Sequence, residues 1–344
     1  MKRTAVALAH PNIALSKYWG KRAGGGNVPA VPSLSVTLAG LATTTTVTFD
    51  DALVEDALVL NGAPAGEGPL ARATELLGRV REAAGLRARA LVVSTNDFPT
   101  ASGLASSASG FAALAVAAVR AAGLDYPAER VADLARRSSA SAARSLFGGF
   151  VELDGEVARP VAPPGQIPLE VLVCVTTEAP KAVSSRDGMA LTAAESPYYA
   201  GWLETAPRLH AELRAALLAG DLETTCALAE RSALAMHASA FAAGVVYVSG
   251  ATLDALAAVR ALRREGVIAY ATMDAGPHLK CLVHTRDAAR ATERLSRTPG
   301  VLRVIRAVAG GGARVLPSSP PGASDDEAAR VVDAARPPAE EPPR

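Results

Sequence analysis

Asn96-Asp97-Phe98-Pro99-Thr100-Ala101-Ser102-Gly103-Leu104-Ala105-Ser106-Ser107-Ala108 follows an apolar, β-branched run at 91–94 and opens an Ala-rich helical pattern at 107–122. A strand that passes through small residues into a helix start makes a phosphate cradle. Missing side chains let the backbone come close to a ligand, and the first helical N–H groups point at it. Ser106 and Ser107 add hydroxyls that can reach a phosphate or its magnesium ion. The same composition also suits a loop that only caps a helix. No lysine stands in the segment, so the GK[ST] ending of a Walker loop is absent.

Before this loop, strand character appears at 4–8, 34–38 and 43–49, with Asn61-Gly62 as a turn and a helical pattern at 70–84. After it, 127–146 reads as one helix with proline at its first position, followed by a strand at 150–153 and a Pro-rich link at 160–168. We read the link as a domain boundary. Beyond it come a strand (169–176), a mostly helical block (185–238), a helix (251–265), two strands (267–273 and 280–284), a helix (287–297) and a strand (301–308). That order predicts an α+β domain with an antiparallel sheet. The expected division is 1–165 with the phosphate loop, 166–316 as the α+β domain, and a tail at 317–344 whose Pro, Ser, Ala and acidic residues predict disorder.

The chain has 344 residues, 49% of them apolar, which is enough for two cores. Lys plus Arg number 35 against 34 Asp plus Glu, so no global field points to nucleic acid or a membrane as partner, and any anion site must be local. Three cysteines, Cys174, Cys226 and Cys281, are too few and too far apart for a disulfide framework, which points to a reducing compartment. Pro11 and Asn12 interrupt the short apolar run at the start, with no secretory cleavage pattern after it. No run reaches the roughly eighteen apolar residues of a membrane span. The expectation is a soluble, cytoplasmic protein. His10, His210, His237, His278 and His284 show no metal-ligand spacing and read as packing or surface groups.

The segment PTASGLASSASG resembles the phosphate loop of the superfamily of galactokinase, homoserine kinase, mevalonate kinase and phosphomevalonate kinase; Ala105 gives GLASS, the form of its decarboxylase branch, where the kinases show GLGSS. Further segments resemble the diphosphomevalonate decarboxylase family, in the family's order. Asn12-Ile13-Ala14-Leu15-Ser16-Lys17-Tyr18-Trp19-Gly20-Lys21-Arg22 is similar to NIAxxKYWGKR, and Ser33-Leu34-Ser35-Val36-Thr37-Leu38 to SLSVTL. Ser139-Ala140-Ser141-Ala142-Ala143-Arg144-Ser145-Leu146-Phe147-Gly148-Gly149 is similar to SGSAxRSLFGG, and Lys181-Ala182-Val183-Ser184-Ser185-Arg186-Asp187-Gly188-Met189 to KxVSSxxGM. Asp274-Ala275-Gly276-Pro277 matches DAGP. The departures are His278 where the family has Asn, and Ser138 and Ala140 where its helix has Gly.

The resemblance implies an α+β, two-domain small-molecule-kinase superfamily fold, with a ribosomal protein S5-like N-terminal domain and a ferredoxin-like C-terminal domain. It also implies ATP-dependent decarboxylation of mevalonate 5-diphosphate to isopentenyl diphosphate by way of phosphorylation of the 3-hydroxyl, with magnesium as cofactor and a homodimer as assembly. Asp274 would deprotonate or orient the hydroxyl, with Lys17 as its electrostatic partner. Arg144, whose planar fork matches a carboxylate, would hold the substrate carboxylate, with Ser139 and Ser141 as hydroxyl donors. Tyr18, Lys21, Ser185 and Arg186 would hold the diphosphate, the last two at a predicted helix start whose Ser184 and Asp187 form a capping-box pattern. The nucleotide falls to Ser94, Asn96, Pro99, Ser102, Gly103, Leu104, Ala105, Ser106, Ser107 and Lys181, and the metal to Ser106 and Asp274. The alternatives are a phosphomevalonate decarboxylase or a mevalonate-type kinase of the same superfamily. A non-catalytic binding member would be expected to have lost charged site residues, and none is missing here.

Overall fold

The computed structural model describes residues 2–98, 106–179 and 182–317. In its first sheet, β1 (Arg3–Ala9) pairs antiparallel with β4 (Thr43–Asp50), which pairs antiparallel with β7 (Arg89–Asn96); β5 (Ala57–Leu60) runs parallel to β7, and β6 (Ala63–Pro64) closes that edge. Strand β4 buries every second residue from Thr43 to Phe49, the period-two pattern of a sheet with one covered face. The cover is α1 (Glu67–Ala84), α2 (Ser106–Ala121) and α3 (Ala128–Ser138), and the Ala-rich buried side of α2 lets it lie close against β1 and β4. Gly85 ends α1 in the left-handed conformation, φ 63°, where a Cβ is costly.

The second sheet is read in the order β11 (Ala269–Met273), β12 (Leu279–His284), β10 (Leu169–Val175), β13 (Arg303–Ala309), β3 (Ser33–Ala39), β8 (Phe150–Asp154), β9 (Val157–Ala162), with β2 (Asn12–Ser16) added to β3. Its first four strands are antiparallel throughout and, with helices before β11 and between β12 and β13, give the βαββαβ order of a ferredoxin-like unit. All seven residues of β10 are buried, because both of its faces are covered. One face meets α5 (Tyr199–Leu218) and α6 (Leu222–Ala242), and the other meets α7 (Gly250–Arg264) and α8 (Ala288–Ser296). The helical block at 185–238 is thus three helices, the first being α4 (Ser185–Glu195).

The expected boundary at 165 does not divide this sheet. The first third of the Pro-rich link belongs to strand β9, paired to β8, and β3 bonds to β13 at Val308↔Ala39 and Ala309↔Leu38. Strand β14 (Arg314–Leu316) then returns to pair with β1 in the first sheet. The tail from 318 onward lies outside the described residues. Nor is 127–146 one helix. Ser139 is extended (φ −155°, ψ 118°), which ends α3, and Ala140–Leu146 continues as a 3₁₀ helix. Three residues per turn keep Ser141 and Arg144 on one face, so their expected pairing survives the change of helix type. Gly20 is a glycine of necessity: its φ is 106°, and a Cβ there would fall 1.8 Å from the Tyr199 hydroxyl.

Candidate active site

A cavity of about 730 Å³ opens where the start of α2, the end of β2, the 3₁₀ helix, the start of α4 and the segment after β11 converge. Asp274 follows β11 directly and stands on its wall. Lys17 Nζ lies 2.6 Å from Asp274 Oδ1 and donates also to the Ala14 carbonyl at 2.8 Å. Lys280 Nζ lies 3.2 Å from Oδ2. Burial pushes the Asp274 carboxyl up, but the two ammonium groups overcome it and hold the carboxylate well below its usual range. Burial brings Lys17 down to about 8, with Asp274 opposing that shift and Lys280 and Arg144 adding to it.

Arg144 sits on the neighbouring wall with 2% of its surface exposed. Its Nη1 donates to Ser33 Oγ at 2.6 Å and its Nε to Asn12 Oδ1 at 3.3 Å. Asn12 in turn donates to the Ser141 carbonyl and to Ser145 Oγ, so one amide fixes both the 3₁₀ helix and its arginine. Among the described residues no carboxylate lies within ion-pair distance of Arg144, and burial lowers its pKa. A desolvated guanidinium with neutral partners is a site for an anion. Tyr18 places its ring 5.9 Å from this guanidinium.

Across the cavity Arg72 from α1 and Arg186 from α4 line a second cationic wall. Burial lowers the pKa of Lys21, and the charges of Arg186 and Arg72 lower it further, which marks three cations crowded around a space. Ser184 caps α4 by accepting from the Asp187 amide at 3.1 Å and donates to Asp187 Oδ2 at 2.6 Å, so Ser185 and Arg186 enter the helix with its N–H groups facing the cavity. Ser106 and Ser107, the first residues of α2, complete the lining.

The family model for a diphosphomevalonate decarboxylase-like N-terminal domain matches residues 9–158, and that for a mevalonate 5-diphosphate decarboxylase C-terminal domain matches 171–305. The diphosphomevalonate decarboxylase of Candida albicans is 32% identical over 80% of this chain and 83% of its own length. The chain belongs to the diphosphomevalonate decarboxylase family. Among its relatives is also the phosphomevalonate decarboxylase of Haloferax volcanii, 35% identical over 79% of this chain and 86% of that one. A solved structure with MVAPP, AMPPCP and magnesium is similar to this chain with a TM-score of 0.85, 37% identity, and coverage of 92% of this chain and 100% of that one. The mevalonate diphosphate decarboxylase of Staphylococcus aureus gives 0.87, 34%, 92% and 99%.

Of the residues singled out in the sequence, Lys17, Tyr18, Ser106, Ser107, Ser141, Arg144, Ser185, Arg186 and Asp274 all line the cavity. Lys21 does not; its Nζ donates to Asn27 Oδ1 at 2.6 Å, beside the cationic wall. Ser139 ends α3 with its hydroxyl 3.2 Å from that of Ser141. Ser94 and Asn96 are not at the cavity: the Ser94 hydroxyl bonds Thr45 at 2.8 Å between strands, and Asn96 accepts from Thr43, so both serve the first sheet. Pro99, Ser102, Gly103, Leu104, Ala105 and Lys181 lie outside the described residues. Asp274, expected to share the metal with Ser106, has an ammonium group beside each of its oxygens. His278 is fully buried, with Nδ1 accepting from the Thr176 amide at 3.2 Å, so this departure from the family motif faces the sheet and not the cavity.

Four residues escaped the sequence reading. Lys280 left one trace, a lone lysine within the apolar strand Leu-Lys-Cys-Leu-Val. Asn12 and Ser33 stand inside quoted motifs, but their link to Arg144 is a contact across more than 100 residues. Arg72 had no signal, since an arginine on an amphipathic helix usually faces water.

Proposed function

We propose that this protein is an ATP-dependent decarboxylase that converts mevalonate 5-diphosphate to isopentenyl diphosphate, ADP, phosphate and carbon dioxide. The observation that carries the reading is the pairing, on one cavity, of the Lys17–Asp274 ion pair with a buried arginine that has no carboxylate partner among the described residues. The Arg144 fork takes the substrate carboxylate, and Tyr18, Lys21, Arg72, Ser185 and Arg186 take the diphosphate. The 3-hydroxyl then lies against Asp274. Two lysines make that carboxylate a weak base in the ground state, so it acts first by orienting the hydroxyl through a hydrogen bond. The proton moves to it late, once transfer of the phosphoryl group has made the hydroxyl oxygen acidic. Lys17 offsets charge on the moving phosphoryl group.

With its 3-oxygen phosphorylated, the substrate has a good leaving group. Its departure leaves positive character at C3, and the electrons of the C–C bond to the carboxylate close the double bond as carbon dioxide leaves. Magnesium fits this site in one way: no group of three or more His, Cys, Asp or Glu among the described residues could cage it, so Ser106 with phosphate oxygens would hold it. When bound there it neutralises phosphate charge. ATP itself is assigned to the start of α2, with Ser106 and Ser107 toward its phosphates. We also propose a homodimer in a reducing cytoplasm; Cys174, Cys226 and Cys281 are all buried free thiols, and no described helix is long and apolar enough to cross a membrane.

The Haloferax volcanii relative favours a second reading in which the 5-phosphate is the substrate. The three crowded cations favour the diphosphate, since losing its terminal phosphate forfeits charge-assisted bonds of about 1.5–3 kcal/mol each. Turnover with magnesium, ATP and either substrate decides between them. The expected result is a kcat/KM at least roughly tenfold higher for the diphosphate, the value of one such bond at the low end of that range; equal values would move the protein to the monophosphate reaction.

A further inference from the structure

Lys280 is the most deeply buried lysine in the described chain, with 0% of its surface exposed, in the middle of β12 between the buried Leu279 and Cys281. It stands opposite Val173 of β10 and Thr272 of β11, inside the sheet. Its ammonium group reaches Asp274 Oδ2 at 3.2 Å while Lys17 takes Oδ1 at 2.6 Å. Asp274 and Lys17 line the cavity and Lys280 does not, so Lys280 meets the carboxylate from behind. A buried ion pair is a weak device for stability, because desolvation of the two charges offsets much of their attraction and apolar chains in place of such a pair are often as stable. Leu282, two residues on and on the same face of β12, is an apolar chain in the core. The cost of Lys280 therefore points to a task at Asp274.

A carboxylate held at one oxygen can still turn about its Cβ–Cγ bond and exchange its oxygens. With a hydrogen-bonded ammonium at Oδ1 and a second ammonium charge beside Oδ2, it favours one plane and one set of lone pairs toward the cavity. We propose that Lys280 is a positioning residue for phosphoryl transfer, which locks the Asp274 carboxylate toward the substrate hydroxyl without touching substrate itself. Among the described residues only Lys17 and Lys280 lie within ion-pair distance of Asp274. The proposal deepens the decarboxylase reading and rests on it.

The test uses the full chain with Lys280→Met and Lys280→Gln, measuring kcat for ADP release and, separately, dissociation constants for mevalonate 5-diphosphate and a non-hydrolysable ATP analogue. Lys280→Met is expected to lower kcat at least fivefold with both dissociation constants within threefold of wild type. Lys280→Gln, whose polar amide replaces the ammonium beside Oδ2, should lose less. A lysine that serves only the fold would weaken binding and turnover together. A kcat loss below fivefold, or a loss matched by equal loss of affinity, overturns the proposal. If the Met variant does not fold, the Gln variant decides by the split between kcat and affinity, with a twofold threshold on kcat. Wild-type protein assayed alongside separates the two failures: no carbon dioxide from wild type overturns the decarboxylase reading, whereas normal wild-type turnover with an unaffected variant overturns the role of Lys280 alone.

Discussion

Raising the pH from 7 to 9 should remove most of the turnover by discharging Lys17. Its side chain is 2% exposed, its ammonium group is fixed between Asp274 and the Ala14 carbonyl, and burial brings its pKa to about 8. A single group of that pKa is charged in roughly nine molecules of ten at pH 7 and one in ten at pH 9, so kcat falls about ninefold. Two neighbouring groups stay out of this window: burial brings His237 to about 4 and raises Tyr18 above its usual value. The sign for stability is the opposite. Between about 8 and 10.5 the unfolded chain keeps a proton on Lys17 that the native state has released, so this residue's contribution to stability rises with pH, by roughly 3 kcal/mol over the window. The assay is kcat at saturating substrates from pH 6.5 to 9.5, as order-of-magnitude bounds around the pKa, with denaturant unfolding of wild type and Lys17→Met at the same pH values. Turnover should fall while wild type gains stability relative to the variant. A flat rate up to pH 9.5, or a loss of turnover that tracks unfolding, refutes the assignment.

Arg144→Gln should weaken both substrate affinity and kcat, because a neutral amide cannot replace the fork against a carboxylate; unchanged affinity by equilibrium binding would remove Arg144 from the substrate. Ser107→Ala, and more weakly Ser106→Ala, should lower kcat with the fold intact, since a lost hydroxyl at a helix start costs only about 1 kcal/mol of stability; full activity at saturating ATP would leave the start of α2 as structure only. Glu152, held down to about 2 by its bond to His210 against burial and with help from Arg159, adds stability that is present above about pH 4.5 and lost as pH falls through about 2. Glu152→Gln should therefore be less stable than wild type at pH 6, and the gap should close in acid; a gap that stays constant down to pH 2 would contradict this.

Elements with a strong period were legible in the sequence: the alternating Thr43–Asp50 strand, the Ala-rich helix after the phosphate loop, and the β-β-α-β order of the C-terminal part. Proline content at the expected break at 165 reports local chain geometry, whereas the second sheet draws strands from both sides of it through pairs such as Val308↔Ala39, more than 260 residues apart. The reading of 127–146 as one helix follows from Ala and Arg, which favour a helix throughout, whereas 140–146 is 3₁₀ and carries tertiary bonds from Asn12 to Ser141 and Ser145, from Arg144 to Ser33 and from Ala313 to Leu146. Site residues within motifs were readable as types but not as partners. Ser94 and Asn96 sit beside the phosphate loop in sequence yet point into the sheet, and Trp19, within the same motif as Lys17, is 2% exposed and donates to Thr192, so part of that motif is packing. Lys280 could not be assigned, because what it does is defined by an oxygen of a residue on the next strand connection.

Release of ADP and carbon dioxide by Asp274→Asn beside wild type, with mevalonate 5-diphosphate, ATP and magnesium, bears most directly on the central claim. Asn keeps the size and a hydrogen bond but carries no charge for Lys17 and Lys280 to pair with and cannot take the proton. Wild type should release the two products in equal amounts, and the variant should keep its substrate affinity while losing nearly all of both. Release of ADP without carbon dioxide by wild type, or a variant that keeps more than roughly a tenth of kcat, a barrier change under about 1.4 kcal/mol, would contradict the account.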